Sequence, residues 1–171
     1  MKTWHLVVAL LAMNYLLWFF AVAVDQMLAP LSLALHLEAL FVAFPALCLP
    51  ILPSLWILLG LSLLLGAQTP VPVGGLLLGF ALLWHAGVWL RTRVQAPRAV
   101  HFAVLAGVGQ FCFILAWTLY LAPNHPAPEA LWLRALTEAL LSGGLVAALA
   151  YPWCRLQAGI LEEFGWQAPA P

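Results

Sequence analysis

Long apolar stretches separated by short polar or proline-containing segments dominate this sequence. A helix needs about 20 apolar residues, with a range near 17–25, to cross the hydrocarbon layer of a bilayer. The first such stretch runs from Trp4 to Val24 and stops at Asp25. Three more single stretches of suitable length follow later in the chain, at residues 73–90, 101–122 and 131–153. The pattern therefore predicts several membrane-spanning helices.

The region from Met27 to Gln68 is too long and apolar for one crossing, and Pro50 and Pro53 interrupt it. Two prolines so close together strongly disfavour a continuous helix. We therefore expect two spans here, the second short enough to require tilt or a thinned bilayer. The sequence predicts an all-α integral membrane protein with a single transmembrane domain over residues 1–171 and a short tail at 154–171. The six predicted spans are residues 4–24, 31–49, 54–68, 73–90, 101–122 and 131–153.

Composition supports a lipid environment. Hydrophobic residues make up 65% of the 171 residues and charged residues only 7%, with a mean hydropathy of +1.04. Soluble domains carry about a quarter charged residues, so this chain has too little polar material to cover a globule. The formal net charge is zero, which argues against a nucleic-acid partner. The three cysteines have no CxxC spacing and are expected to be packing residues.

The N-terminus has some features of a signal peptide, because Lys2 precedes an apolar run and residues 21–23 read Ala-Val-Ala. The run from Leu6 to Val24 is longer than a signal core of about 7–15 residues. We expect a retained first helix, with cleavage as the minor alternative.

The distribution of basic residues predicts the orientation, since lysine and arginine collect in cytoplasmic loops. With six spans, one basic residue, Arg134, lies on the outer side, and merging the second and third spans would separate Lys2 from the arginines. Both termini are therefore expected in the cytoplasm. The arginines between the fourth and fifth spans are expected to contact anionic lipid, and the alternative is that they contact a cytoplasmic partner protein. The residues on the inner side are Lys2, Arg91, Arg93, Arg98 and Arg155.

Ionisable residues inside the spans form one candidate site. Arg134 and Glu138 stand one helical turn apart in the sixth span, and Glu38 descends from the same side in the second. Arg134 could bridge the two carboxylates, because buried charge in lipid is costly unless it is paired. A structural clamp is the favoured interpretation, ahead of a contact with another membrane protein and of a substrate or proton site. Nearby His36 is interpreted as a hydrogen-bonded packing residue, with a ligand or proton relay as the alternative.

Small residues at helical spacing define a candidate helix-packing or partner face, because they let helix backbones approach closely in lipid. Packing inside the bundle is favoured over an exposed face for a partner helix. The sequence contains no HExxH, GxSxG or phosphate-binding glycine loop, and we expect no enzyme activity, catalytic site, cofactor or metal. The residues of the face are Gly75, Gly79, Gly143, Gly144 and Ala147.

The segment "LLGLSLLLGAQTPVPVGGLLLGFALLWHAG" resembles the central part of the MreD family of bacterial rod shape-determining membrane proteins. That family has a helix, a turn with glycine and proline, and a second helix, and Gly66, Pro70 and Gly74 or Gly75 take those places here. Many members carry an acidic residue before the turn, where this sequence has Ser62. A role tied to that carboxylate is therefore in doubt.

The segment "ALLSGGLVAALAYPWCRLQ" is similar to the last helix of the same family. There a run of small residues leads to an aromatic-proline pair and a basic residue, which are Tyr151, Pro152 and Arg155 here. The length, the number of spans and the cytoplasmic termini also resemble the family.

The resemblance implies a non-enzymatic scaffold of the cell-elongation complex in the bacterial inner membrane. Its expected partner is MreC and, through it, RodA, a class B penicillin-binding protein and MreB, and a homo-oligomer is compatible with the sequence. The family also resembles the fold of the substrate-binding membrane subunits of energy-coupling-factor vitamin transporters. That likeness supplies a second hypothesis, in which His36, Glu38, Arg134 and Glu138 line a ligand site. An intramembrane enzyme is a third and weaker hypothesis.

Overall fold

The computed structural model describes residues 3–31, 34–68, 72–94, 98–124, 127–163 and 165. These residues form six α-helices and two short 3-10 turns, with no strand among them. The prediction of an all-α chain is confirmed for this part of the sequence. The helices are α1 (Thr3–Leu28), α2 (Glu38–Cys48), α3 (Ile51–Gly66), α4 (Val73–Arg93), α5 (Ala99–Leu121) and α6 (Pro128–Glu163).

Four helices, α1, α4, α5 and α6, are long and apolar enough to cross a membrane by length and composition. The other two, α2 and α3, are apolar but shorter. The expectations for Lys2 and for Pro70 fall outside the described residues.

The helix predicted over residues 31–49 is wrong in extent, because α2 begins only at Glu38 and residues 34–37 are not helical. The sequence before α2 is as apolar as a spanning helix, so hydropathy alone cannot reveal the interruption. Polar side chains from α1 and α6 bond the backbone of this segment, and one from α5 bonds the first turn of α2. These bonds are the physical reason for the interruption.

The short helix α2 lies at the centre of the bundle, and every residue from Ala39 to Leu47 is buried. Its first turn bonds Gln110, which is the middle residue of α5, and the carbonyl group of Leu49, just beyond its last residue, bonds Arg91 at the end of α4. Eleven residues span about 16 Å, close to half of a hydrocarbon core of about 30 Å. The helix α2 therefore runs from mid-depth to the end of the bundle where Arg91 lies.

The helix break expected at the prolines is present, and Pro50 immediately precedes α3. Pro53 lies in the first turn of α3, where proline costs little because its missing N–H group would be unpaired there anyway. The Ser54 hydroxyl donates to the carbonyl oxygens of Pro45 and Pro50, at 2.9 and 2.8 Å. This side chain joins the end of α2 to the start of α3.

The helix α6 continues through Pro152 to Glu163, so residues 154–163 of the predicted tail are helical. The directions of α4, α5 and α6 place four arginines at one end of the bundle and Arg134 toward the other. The contact between the rings of Phe102, near the start of α5, and Tyr151 of α6, whose centroids lie 6.3 Å apart, supports this arrangement. The four arginines at the shared end are Arg91, Arg93, Arg98 and Arg155.

Close packing of α5 against α6 depends on Gly107 and Gly143. A Cβ atom added at Gly107 would lie 2.8 Å from the Cβ of Ala147 and 3.1 Å from the carbonyl oxygen of Gly143. One added at Gly143 would lie 3.2 Å from the carbonyl oxygen of Gly107, whereas nothing lies within 4 Å of the position at Gly144. Gly143 and Ala147 thus pack inside the bundle, and Gly144 faces outward.

The α4 glycines of the candidate face also pack inside the bundle. A Cβ atom at Gly75 would lie 2.7 Å from the ring of Trp117, and one at Gly79 would lie 2.5 Å from the ring of Phe113. These glycines therefore provide the space that two aromatic side chains of α5 occupy.

Replacing Gly107 with leucine is expected to lower the free energy of unfolding by about 1–3 kcal/mol, because the new side chain would push α5 away from α6. Gly159→Leu is the matched control, since nothing lies within 4 Å of a Cβ atom at that position on α6. The measurement is the temperature at which each variant loses its monodisperse peak in mild detergent. Equal temperatures for the two variants would contradict the packing.

Candidate functional site

The non-helical segment at residues 34–37 poses a backbone problem inside an apolar bundle. The first N–H groups of any helix have no partner within the helix, and unpaired backbone groups in hydrocarbon cost several kcal/mol each. The N–H groups of this segment and of the start of α2 therefore need partners outside the helix. The polar side chains around them form the candidate site.

Three side chains accept hydrogen bonds from consecutive backbone N–H groups of the segment. Glu138 Oε1 accepts from Ala34 N at 3.0 Å, and Ser142 Oγ accepts from His36 N at 3.1 Å. Between them, Asp25 Oδ1 accepts from the N–H group of residue 35. Residues 34 and 36 are thus hydrogen-bonded to α6, and residue 35 is hydrogen-bonded to α1.

Gln110 attaches the first turn of α2 to the middle of α5. Its Oε1 accepts from Ala39 N at 2.9 Å, and its Nε2 donates to Glu38 Oε2 at 2.8 Å. Glu38 is the first residue of α2, where a carboxylate interacts favourably with the positive end of the helix dipole. One buried amide therefore bonds both the backbone and the acidic side chain at the helix start.

The side chain between the two glutamates is His36, whereas the sequence suggested that Arg134 would bridge them. His36 Nδ1 lies 3.2 Å from Glu38 Oε1, and its Nε2 lies 3.7 Å from Glu138 Oε2. Arg134 Nε donates to Glu138 Oε1 at 2.9 Å, one turn away on the same helix. The difference arises because the non-helical backbone at residues 34–37 brings His36 to α6.

We name the resulting network the polar cluster and define it by seven side chains. They are Asp25, His36, Glu38, Gln110, Arg134, Glu138 and Ser142.

The polar cluster has a buried acidic side and a more exposed basic side. The exposed fractions of the side chains are 9% for Glu138, 18% for Glu38, 33% for His36 and 52% for Arg134. Three carboxylates and one arginine sum to −2 with His36 neutral and to −1 with His36 protonated. Chemically, the cluster can hold backbone groups, exchange a proton at His36 and present Arg134 to an anionic group.

The opposite end of α2 is also bonded by a side chain. Arg91 Nη1 donates to the carbonyl oxygen of Leu49 at 2.6 Å, just beyond the last helical residue. Basic side chains commonly bond the last carbonyl groups of helices. An arginine that the sequence assigned to topology and lipid contact therefore also fixes the position of α2.

A second polar contact joins α1 to α6. Asn14 Oδ1 accepts from Gln157 Nε2 at 2.8 Å and from Trp153 Nε1 at 3.4 Å. Asn14 and Gln157 are fully buried. The sequence did not indicate Gln157, which lies beyond the last predicted span.

Sequence reasoning missed three members of the polar cluster. Asp25 was placed at the end of the first span, and Gln110 and Ser142 were not among the candidate residues. Each is a polar side chain within or at the end of an apolar helix, which is the signal that could have identified it. The partner in every case is a backbone N–H group, and the sequence does not show which backbone groups are unpaired.

The other residues that the sequence singled out form no further site within the part of the chain that the structure describes. No group of three or more histidine, cysteine, aspartate or glutamate side chains there could hold a metal ion. Cys48, Cys112 and Cys154 are free thiols. Ser62, which replaces an acidic residue of the resembled family, is buried and donates to the carbonyl oxygen of Leu58 at 2.8 Å.

Comparison with known proteins provides no family assignment, since no family model, curated protein or solved structure matches the chain significantly.

Replacing Glu138 with leucine is expected to destabilise the fold, because Ala34 N and Arg134 Nε would both lose their acceptor. Each buried unsatisfied group costs about 1–3 kcal/mol. Glu138→Gln keeps a carbonyl oxygen that can accept one of the two bonds. It should therefore lower the free energy of unfolding by less than Glu138→Leu does. The measurement is thermal unfolding in detergent, with the exposed Glu162→Leu on the same helix as the control. Indistinguishable behaviour of E138L and E162L would contradict this role of Glu138.

Proposed function

We propose that this chain is a non-enzymatic membrane scaffold that binds the transmembrane helix of a partner protein. The partner class follows from the resemblance to the MreD family, and it is an MreC-type protein of the cell-elongation complex. RodA, a class B penicillin-binding protein and MreB would join through that partner. The observation that carries the proposal is an open surface of small residues on α5 and α6.

This surface is a groove of about 520 Å³, and we name it the α5/α6 face. Gly107 and Gly143 bring the two helix backbones together, and Gly144 lies beside them with nothing near its Cβ position. Small residues let a further helix approach closely, and such approach drives helix association in lipid. The α5/α6 face is lined by Ala103, Val104, Gly107, Val108, Phe111, Ala139, Leu140, Gly143, Gly144 and Ala147.

The hydrogen bonding of the polar cluster supports a structural role within such a scaffold. Glu138 and Ser142 bond the backbone of residues 34–37 from one face of α6, while Leu140 and Gly144 lie on the α5/α6 face. The cluster thereby fixes α6 against the interior of the bundle. A fixed α6 presents the same outer surface to every partner molecule.

The proposed topology has six membrane segments, with both termini in the cytoplasm of a bacterial inner membrane. Residues 34–37 and α2 together form the second segment, and α3 forms the third. The positive-inside rule supports placing the end with four arginines in the cytoplasm.

Replacing Gly144 with leucine is expected to weaken partner binding about tenfold, or ~1.4 kcal/mol, without unfolding the chain, because the side chain would project into the open face. The measurement is the amount of co-expressed MreC-type protein that co-purifies in mild detergent. Gly159→Leu, also in open space on α6, is the control and should retain the partner. Full retention by G144L would contradict the proposed face, and no retention by the unaltered chain would contradict the proposed partner.

A second candidate function is a solute-binding subunit of a transporter. The interrupted backbone before α2 favours it, because transporters often bind substrate where a helix is unwound and a half-helix begins near mid-depth. The exposed sides of His36 and Arg134 would face such a solute. An anionic, vitamin-like molecule would complement the arginine.

This second function predicts thermal stabilisation of the purified chain by a vitamin-like carboxylate. A ligand at 100 times its Kd adds about 2.7 kcal/mol to the free energy of unfolding. Arg134→Gln should abolish the effect, and Arg155→Gln, whose arginine stacks on Tyr151 at 6.0 Å, should not. Stabilisation that R134Q leaves unchanged would exclude Arg134 as the anion contact.

A further inference from the structure

A second groove, which we name the α4/α5 groove, separates the arginine-bearing half of α4 from α5. Its volume is about 490 Å³, within the range of about 300–1,000 Å³ for ligand sites. Leu83 of α4 contacts Gly109 of α5, and Phe113 of α5 contacts Gly79 of α4. The groove is the space beside these two contacts. The lining of the groove includes Ala86 and Trp89 of α4 and Val104 and Ala116 of α5.

The dimensions of the α4/α5 groove fit a single hydrocarbon chain. It extends along α5 from Val104 to Ala116, which is about 18 Å at 1.5 Å per residue. One leaflet of the hydrocarbon core is about 15 Å thick. The length of the groove therefore matches one acyl chain within one leaflet.

The end of the groove beside the α4–α5 connection is positively charged. The Arg93 guanidinium lies 5.3 Å from the ring centroid of Trp89, and that ring lines the groove. Arg98 directly precedes α5, and residues 73–121 contain no aspartate or glutamate. The ion pairs among the described residues involve only His36, Glu38, Arg134 and Glu138. Arg93 and Arg98 therefore have no carboxylate partner in that part of the chain.

We propose that the α4/α5 groove binds one anionic phospholipid. One acyl chain lies between α4 and α5, and the phosphate group contacts Arg93 and Arg98 at the membrane interface, where Trp89 supports the Arg93 side chain. Arg91 takes no part, because it bonds the carbonyl oxygen of Leu49. The site borders the α5/α6 face at Val104 and Val108, and it does not depend on the proposed scaffold function.

Native mass spectrometry of the full chain tests this site with added phosphatidylglycerol or phosphatidylcholine of identical acyl chains. The unaltered chain should retain one phosphatidylglycerol in preference to phosphatidylcholine. The double variant R93Q/R98Q should lower that preference by about tenfold or more, because each interfacial arginine contributes about fivefold to the affinity for an anionic membrane. Arg155→Gln, at the same end of the bundle, is the charge control and should keep the preference.

A second pair of variants tests the acyl chain. Ala86→Phe places a ring in the α4/α5 groove and should reduce retention of phosphatidylglycerol. Ala103→Phe places the same ring in the α5/α6 face and should not. Equal retention of the two lipids by the unaltered chain would overturn the proposal. It would also be overturned if R93Q/R98Q matched R155Q or if A86F matched A103F.

Discussion

The structure depends on one constraint, which is that every backbone N–H and C=O group in the hydrocarbon layer needs a partner. The described helices meet this need largely by their own regular hydrogen bonding. The exception is the segment before α2, where residues 34–37 are not helical and the next helix begins near mid-depth. Its N–H groups bond Asp25, Glu138 and Ser142, and the first turn of α2 bonds Gln110. An irregular backbone can exist at this depth only because other helices surround it.

Five of the twelve charged residues of the sequence lie at the two ends of α2. Three of the six acidic residues of the sequence, Asp25, Glu38 and Glu138, belong to the polar cluster. At the other end of α2, Arg91 bonds the carbonyl oxygen of Leu49. The burial of every residue from Ala39 to Leu47 shows why these bonds are needed, since water has no access to the helix. The polar residues thus position a central half-length helix, around which the longer helices pack.

The long helices could be predicted from the sequence, because a run of about 20 apolar residues has few alternatives in a bilayer. The break at Pro50 followed from the missing N–H group and ring of proline. The interruption at residues 34–37 could not be predicted, since Ala34, Leu35 and Leu37 are as apolar as any spanning residue. The expected bridge by Arg134 is present at Glu138, whereas His36 contacts Glu38 in its place. The bridging role of His36 depends on a local backbone conformation that only the assembled bundle defines.

The hydrogen bonds of the second segment also have a consequence for biosynthesis. The acceptors for Ala34, His36 and Ala39 lie 104, 106 and 71 residues later in the chain. A ribosome that makes the chain from its N-terminus exposes this segment long before α5 and α6 exist. Until then the segment must satisfy its backbone in another way, as a provisional full-length helix or in the shelter of the insertion machinery. Residues 34 and 36 can therefore form their bonds with Glu138 and Ser142 only after this part of α6 has been made.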